Sequence, residues 1–413
     1  MVYLIISAIP VLSLAWWVWA HRRLWKLRAP GYWHWVLAVP MVLLLGGFAW
    51  ILLDRGGKVP MRLPTIFYAA VMMWGLMFLP FLALPSMLFW GVWASIKRIF
   101  SLRRSLSDQL SEPVVAAPVA EVDFGTGPLV LEEDPPAGMT RREMLAAAGV
   151  ALPVVATFGT NFLSMPQWSH FRVRELSVVV PSLPAALDGM RIAHLTDTHV
   201  GKFTHGKVLS DLAAAINDLK ADLVLLTGDL IDNTLDDLPA AMEMVTAIDP
   251  RSGLVMIEGN HDLFQGAENF ARGVRAYGVT LLRDEATRLS VRGQPVQVLG
   301  IRWHGRGQGM EKHVDTVADL VDPDAFPILL AHHPHAFDRA AERGFPLTLA
   351  GHSHGGQIML TPEFGAGSIL FRYWTGLYQR GSSSLVVSNG AGNWFPLRTS
   401  APAEIIHITL RRA

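Results

Sequence analysis

Three stretches decide the fold. Arg191-Ile192-Ala193-His194-Leu195-Thr196 runs into Asp197-Thr198-His199, Asp222-Leu223-Val224-Leu225-Leu226-Thr227 into Gly228-Asp229, and Gly253-Leu254-Val255-Met256-Ile257-Glu258 into Gly259-Asn260-His261-Asp262. Each is a short apolar run, partly β-branched, that stops at residues able to bind metals or carry protons; such runs read as strands buried on both faces. Two more follow, 327–331 ahead of His332-His333-Pro334 and 346–350 ahead of Gly351-His352-Ser353-His354-Gly355-Gly356-Gln357. Between them lie amphipathic helical segments, such as 207–220 with Leu209, Leu212, Ala213, Ile216 and Leu219 on one face. Strand alternating with helix predicts an α/β layered sheet, in which ligands gather beyond the carboxyl ends of the strands. All five polar clusters fall at such ends.

Pooled, the clusters offer Asp, Asn and His but no thiolate, because the chain has no Cys. Carboxylate, carboxamide and imidazole suit Mn, Fe, Co, Ni or Zn better than calcium, which wants more oxygen ligands. The donors are too many for one ion and fit two ions sharing a carboxylate. Two such ions about 3.5–4 Å apart can activate a water and clamp the oxygens of a phosphate.

In order, Asp-x-His, Gly-Asp, Gly-Asn-His-Asp, a strand-end His and Gly-His-x-His resemble the calcineurin-like metallophosphoesterase superfamily. The Gly351–Gln357 segment and the 386–410 tail are similar to its bacterial membrane-tethered or twin-arginine-exported phosphodiesterases. The resemblance covers about 173–410 and implies an αββα sandwich over 172–413 with two divalent ions (Mn, Fe, Zn, Co or Ni). It would place Asp197, His199 and His354 on the first metal, Asp229 between the two, and Asn260, His332 and His352 on the second. His261 would protonate the leaving oxygen, and Asp232 would orient it through a carboxylate–imidazole hydrogen bond. The nucleophile would be a metal-bridging hydroxide, with no covalent intermediate. Of the adjacent pair, His332 is the expected ligand and His333 a substrate contact. Asp262 reads as a helix cap, and Gly355, Gly356 and Gln357 as the means of close backbone approach beside the metals. His194, His304 and His313 read as core or surface residues, and His205 as a residue lining the cleft.

The rest of the chain has another character. Of 413 residues, 51% are hydrophobic and 17% charged, with 35 Lys and Arg balancing 35 Asp and Glu. Zero net charge excludes a globally basic nucleic-acid binder, so no nucleic acid is expected as a partner. Residues 1–100 hold ten of the 14 Trp and a single acid, Asp54. Three apolar stretches, about 1–20, 32–53 and 64–96, are long enough to span a bilayer, and Pro80 and Pro85 should bend the third. A polar, Pro-rich linker is expected over 101–139. A fourth, weaker apolar segment over 140–163 opens on Arg141-Arg142, which resembles a twin-arginine export signal or anchors the cytoplasmic end of a helix.

The expected architecture is therefore an all-α transmembrane region of three to four helices ahead of the α/β sandwich. Arg22, Arg23, Lys26 and Arg28, and Lys97, Arg98, Arg103, Arg104, Arg141 and Arg142, outweigh Arg55, Lys58 and Arg62, which puts the first and third connections in the cytoplasm. If 144–163 crosses, the favoured outcome, the metal domain lies on the extracytoplasmic face of a bacterial inner membrane, and if it does not, the domain is cytoplasmic. The expected function is hydrolysis of a phosphodiester or pyrophosphate bond. The bilayer as partner makes a lipid-linked phosphoester the substrate to test. The alternative is an inactive membrane scaffold or sensor that retains the fold.

Overall fold

The computed structural model describes residues 2–54, 63–111, 139–305 and 307–413. It divides into two compact units, Met1–Phe162 and Leu163–Ala413.

The first unit is helical: α1 (Val2–Lys26), α2 (Gly31–Asp54), α3 (Thr65–Met73), a π-helical stretch (Trp74–Ala83), α4 (Leu84–Ser111) and α5 (Arg141–Ser164). Among the described residues, three helices, Gly31–Leu53, Thr65–Arg104 and Arg141–Trp168, are long and apolar enough to cross a membrane. The π-helical stretch contains Pro80, whose missing N–H removes one bond from the ladder, and the helix continues through it. Two polar contacts link the helices. Trp74 Nε1 donates to Ser13 Oγ at 2.8 Å, and Asn161 Nδ2 donates to the Ile66 carbonyl at 2.8 Å. Such bonds hold helices together where lipid supplies no hydrophobic drive. Arg23 lies over the Trp90 ring at 4.3 Å.

Two boundaries differ from the sequence expectation. Helix α4 continues through Ser111, into the first part of the expected linker, because 97–111 contains neither Pro nor Gly to stop it. The remainder of that linker, 112–138, lies outside the described residues, as do Arg55, Lys58 and Arg62. Helix α5 starts sharply at Arg141 because Thr140 and Glu143 form a reciprocal cap: Thr140 N donates to Glu143 Oε2 at 2.9 Å, and Glu143 N to Thr140 Oγ1 at 3.2 Å.

The second unit contains twelve strands: β1 (Arg172–Val180), β2 (Arg191–Leu195), β3 (Leu223–Thr227), β4 (Gly253–Ile257), β5 (Thr280–Leu282), β6 (Glu285–Val291), β7 (Gln294–Gly300), β8 (Phe326–Leu330), β9 (Leu347–Ala350), β10 (Gly376–Arg380), β11 (Ser383–Val387) and β12 (Glu404–Arg412). They form two six-stranded sheets, ordered β1-β12-β2-β3-β4-β5 and β10-β11-β9-β8-β7-β6. Strands β2 to β5 are mutually parallel, as are β7, β8, β9 and β11.

Alternate residues of each central strand serve opposite faces. Leu223, Leu225, Val255 and Ile257 meet Val296, Val298, Ile328 and Leu349 between the sheets. Val224, Leu226 and Met256 face outward against Leu212 and Ile216 of α6 (Lys207–Leu219), Met242 and Val245 of α7 (Leu238–Thr246), and Phe270 and Val274 of α8 (Ala267–Ala276). On the far side, Leu299 and Leu329 are covered by Met310 and Val314 of α9 (Gln308–Ala318) and by Ala340 of α10 (Ala336–Glu342). Helix, sheet, sheet, helix is the layered α/β sandwich the alternation implied. Because β2, β3 and β4 are parallel neighbours, their polar ends emerge side by side at one edge, as do those of β8 and β9.

Candidate metal centre

Five of the residues at those strand ends, Asp197, His199, Asp229, His352 and His354, have φ between +46° and +67°. The left-handed region is costly for residues with a Cβ and persists only where surroundings enforce it. Backbone bonds between the loops do so: Asp197 N donates to the Gly228 carbonyl at 2.9 Å and His199 N to the Asp229 carbonyl at 3.0 Å. The result turns each side chain back toward a common point.

Asp197, His199 and His354 form one buried cluster. His354 Nε2 is 3.1 Å from Asp197 Oδ1 and 3.0 Å from His199 Nε2. Asp229, His332 and His352 form another, with His332 Nε2 at 3.2 Å from Asp229 Oδ2. Asn260 Oδ1 contacts His352 Nδ1 at 2.9 Å, which adds the carboxamide to the second cluster. A third grouping, His199, Asp229 and His261, overlaps both, so Asp229 stands between the two donor sets with Oδ2 also 3.5 Å from His199 Nε2. In each group the candidate ligand atoms lie within 4.8 Å of one another. Buried imidazole nitrogens converging on carboxylates are a donor set that divalent cations fit. His332 shows this most directly: its Nδ1 donates to the Thr227 carbonyl at 2.6 Å, which leaves the buried Nε2 without a hydrogen bond beside Asp229.

Protonation follows the same geometry. Burial pushes the Asp197 and Asp229 carboxyls upward, but the facing imidazoles outweigh it and hold both below the usual carboxylate range. Burial lowers His199 and His332, yet their Asp partners raise them to about 10 and about 9. His352 and His354 are lowered by burial to about 3 and about 4 and are neutral. Two protons therefore sit among the carboxylates where cations would supply the charge.

The hydrogen bond orienting His261 differs from the expected carboxylate pairing. His261 Nδ1 bonds to the Asp232 backbone carbonyl at 2.6 Å, while the Asp232 carboxylate is 3.4 Å away. The same carboxylate oxygen, Oδ1, is 3.3 Å from His199 Nδ1, so Asp232 is shared between the two imidazoles. Nor is Asp262 a helix cap. Its carboxylate accepts Ile231 N at 3.0 Å and Gly259 N at 2.8 Å, tying the loops after β3 and β4 together. Burial first, and then the charge of Asp229, pushes Asp262 up to about 7.

His333 is buried beside His352, with ring centroids 4.7 Å apart. His194 is a core residue bonded to Thr227 Oγ1, His313 pairs with Asp284, and His205 is exposed. Gly355 and Gly356 do make close approaches, but to other parts of the chain: a Cβ would lie 2.3 Å from Asn389 Oδ1 or from Gly367 N, respectively.

The sequence does not single out Trp303, Trp394, Phe264 or Arg398. With Phe371, from the aromatic-rich segment 361–378 that reads as a candidate substrate wall, the three aromatics surround the centre. Trp303 is 4.9 Å from His352 and Phe371 5.9 Å from it, while Phe264 and Trp394 flank His261 at 4.8 and 6.5 Å. Arg398 is buried and reaches His354 from behind. Its loop, Ser388-Asn389-Gly390-Ala391-Gly392-Asn393, follows β11 and is one more polar strand end, the signal that would have found it.

Residues 190–356 match the family described as calcineurin-like phosphoesterase. The chain is similar to a transmembrane protein with a metallophosphoesterase domain from Danio rerio, 28% identical over 298 residues and covering 68% of this chain and 65% of that protein. An uncharacterised metallophosphoesterase of Bacillus subtilis is 29% identical over 288 residues, covering 66% of this chain and 98% of that one. Another from Campylobacter jejuni is 31% identical over 260 residues, covering 61% and 65%. The chain thus spans about two thirds of the length of the first and third of these relatives. Its matched region belongs to the calcineurin-like metallophosphoesterase superfamily.

Proposed function

We propose that this calcineurin-like phosphoesterase domain hydrolyses a phosphodiester or pyrophosphate bond of a lipid-linked substrate, within a multi-pass membrane protein. The observation that carries the reading is the pair of buried donor clusters meeting at Asp229, with half-buried His261 at their edge. Asp197, His199 and His354 would hold one divalent cation and Asn260, His332 and His352 the other, with Asp229 reaching both. When bound, two such ions supply Lewis acidity, an activated water and positive charge for phosphoryl oxygens. The protein's part is geometric. Left-handed backbones aim the ligands, and the Asp232 carbonyl accepts a hydrogen bond from His261 Nδ1, which leaves Nε2 as the atom that would pass a proton to the leaving oxygen.

The lipid assignment rests on an apolar lip. Leu360, Phe364, Ile369 and Leu370 are 79%, 56%, 71% and 60% exposed, and the next residue, Phe371, sits over His352. An acyl chain laid along this lip would bring its headgroup phosphate to the second cluster. The narrower placement among twin-arginine-type phosphodiesterases rests on Arg141-Arg142 and Gly351–Gln357. With the charge bias of the connections, it puts the metal domain outside the cytoplasm, where a phospholipid phosphodiester is the better fit.

The test uses the full chain in detergent with bis-p-nitrophenyl phosphate and Mn, Fe, Co, Ni or Zn. Turnover that disappears in Asp229→Asn together with bound metal supports the reading; a folded chain inactive with every ion leaves the scaffold alternative. Protease treatment of spheroplasts tests the orientation, and full protection of the metal domain would overturn it.

A further inference from the structure

The short turn Met165–Trp168 follows directly on α5 in sequence and belongs to the same compact unit as the two sheets. It is tied by its side chains to the loop bearing Arg398. Trp168 Nε1 donates to the Pro396 carbonyl at 2.8 Å and its ring rests on Phe203 at 5.3 Å, while the Arg398 N–H donates to Gln167 Oε1 at 2.9 Å.

Arg398 then spans from that loop to a candidate metal ligand. Its Nε donates to Asn393 Oδ1 at 2.7 Å. Nη1 donates to the carbonyls of Asn389 (2.9 Å), Ala401 (3.0 Å) and His354 (3.3 Å). Nη2 donates to the Gly392 carbonyl at 2.5 Å and to His354 Nδ1 at 3.0 Å. One guanidinium thus holds both the backbone and the ring of His354, a residue whose φ of +51° needs outside support. His354 Nε2 faces the first cluster, 3.1 Å from Asp197 Oδ1.

We infer that Gln167 and Trp168 are positioning residues of the metal centre, acting through Arg398 on His354. The turn that follows α5 is then part of the scaffold of the first metal site rather than a passive tether. The inference rests on the dinuclear reading above and adds to it that the site depends on the sequence joining it to the membrane segment. A chain cut after Trp168 would keep every ligand and lose the hold on one of them.

The experiment is Mn²⁺ titration of the full chain in detergent, followed by electron paramagnetic resonance, with thermal melts as a folding control. Wild type should show a spin-coupled Mn pair. Gln167→Ala and Trp168→Phe each remove one hydrogen bond and leave all ligands in place. Each should weaken binding at the first site by roughly fivefold to tenfold, about the worth of one such bond, and shift the spectrum at limiting Mn²⁺ toward a single uncoupled ion. Arg398→Lys should weaken it further. Wild-type affinity and coupling in both folded variants would overturn the inference while the dinuclear reading stood. Absence of a coupled pair in wild type itself would overturn both.

Discussion

Loading the centre with metal should expel protons, and their number follows from the charges already in place. His199 and His332, at about 10 and about 9, both carry a proton at pH 7 that a cation must displace. His352 and His354, at about 3 and about 4, are already neutral, and Asp197 and Asp229 are ionised. About two protons should therefore leave each chain as two ions bind. At roughly 1.4 kcal/mol for each pH unit below the group's own value, displacement at pH 7 costs about 4 kcal/mol at His199 and about 3 kcal/mol at His332. The sign is fixed: raising the pH removes this cost, so the overall constant for binding the pair should climb about 100-fold per pH unit between pH 6 and 8. The climb should flatten above about pH 9 to 10, as the rings lose their protons unaided. Calorimetric titration with Mn²⁺ in buffers of different ionisation enthalpy counts the protons. Ionisation of a coordinated water can only add to that count. Two histidines of ordinary pKa, about 6.5, would release only about half a proton between them at pH 7. A count that low would refute the charge arrangement described for Asp229 and its two imidazole partners.

His261→Ala should slow turnover by roughly 100-fold to 10,000-fold while the metal content, measured by mass spectrometry, stays at two ions; loss of both ions would contradict its place at the edge of the clusters. Arg283→Met leaves Glu258 buried without its partner at 2.8 Å and should cost about 3–5 kcal/mol, a clear drop in melting temperature; a change below about 2 °C would show that the pair carries no weight. Gly392→Ala would put a Cβ 1.7 Å from the Thr198 carbonyl, so the Asp197–His199 turn must shift and first-site metal binding, measured by titration, should fall. Replacing Leu360, Ile369 and Leu370 together by Ser should reduce turnover of phospholipid in vesicles without changing turnover of bis-p-nitrophenyl phosphate. An equal loss on both substrates would remove the lip from the substrate path.

The alternation of buried strands with polar ends was legible in the sequence because parallel strands covered on both faces must be apolar throughout. The chain can expose chemistry only where such a strand stops. That rule located Asp197, Asp229, Asn260, His332, His352 and His354 along a line of text. It also distinguished the Trp-rich, acid-poor helices from the metal domain. Composition shows where helices become lipid-compatible, but it did not show that α4 runs on to Ser111, since a polar helix and a polar linker there share the same residues.

What the sequence could not supply is anything that depends on a second segment folding back. The carboxylate of Asp262 became a clamp between two loops because Ile231 N and Gly259 N happen to face it, and no local pattern encodes that meeting. His261 takes the Asp232 backbone carbonyl as its nearer partner, at 2.6 Å, while the carboxylate at 3.4 Å is shared with His199. Arg398 read as one more basic residue in a tail, and became the support of His354 because β12 returns between β1 and β2 and carries the preceding loop under the metal centre. Ligand identity is a property of residue type and strand end, which a sequence states directly. The hold on each ligand is a property of distances between segments up to 231 residues apart, as from Gln167 to Arg398, and only the tertiary structure sets those.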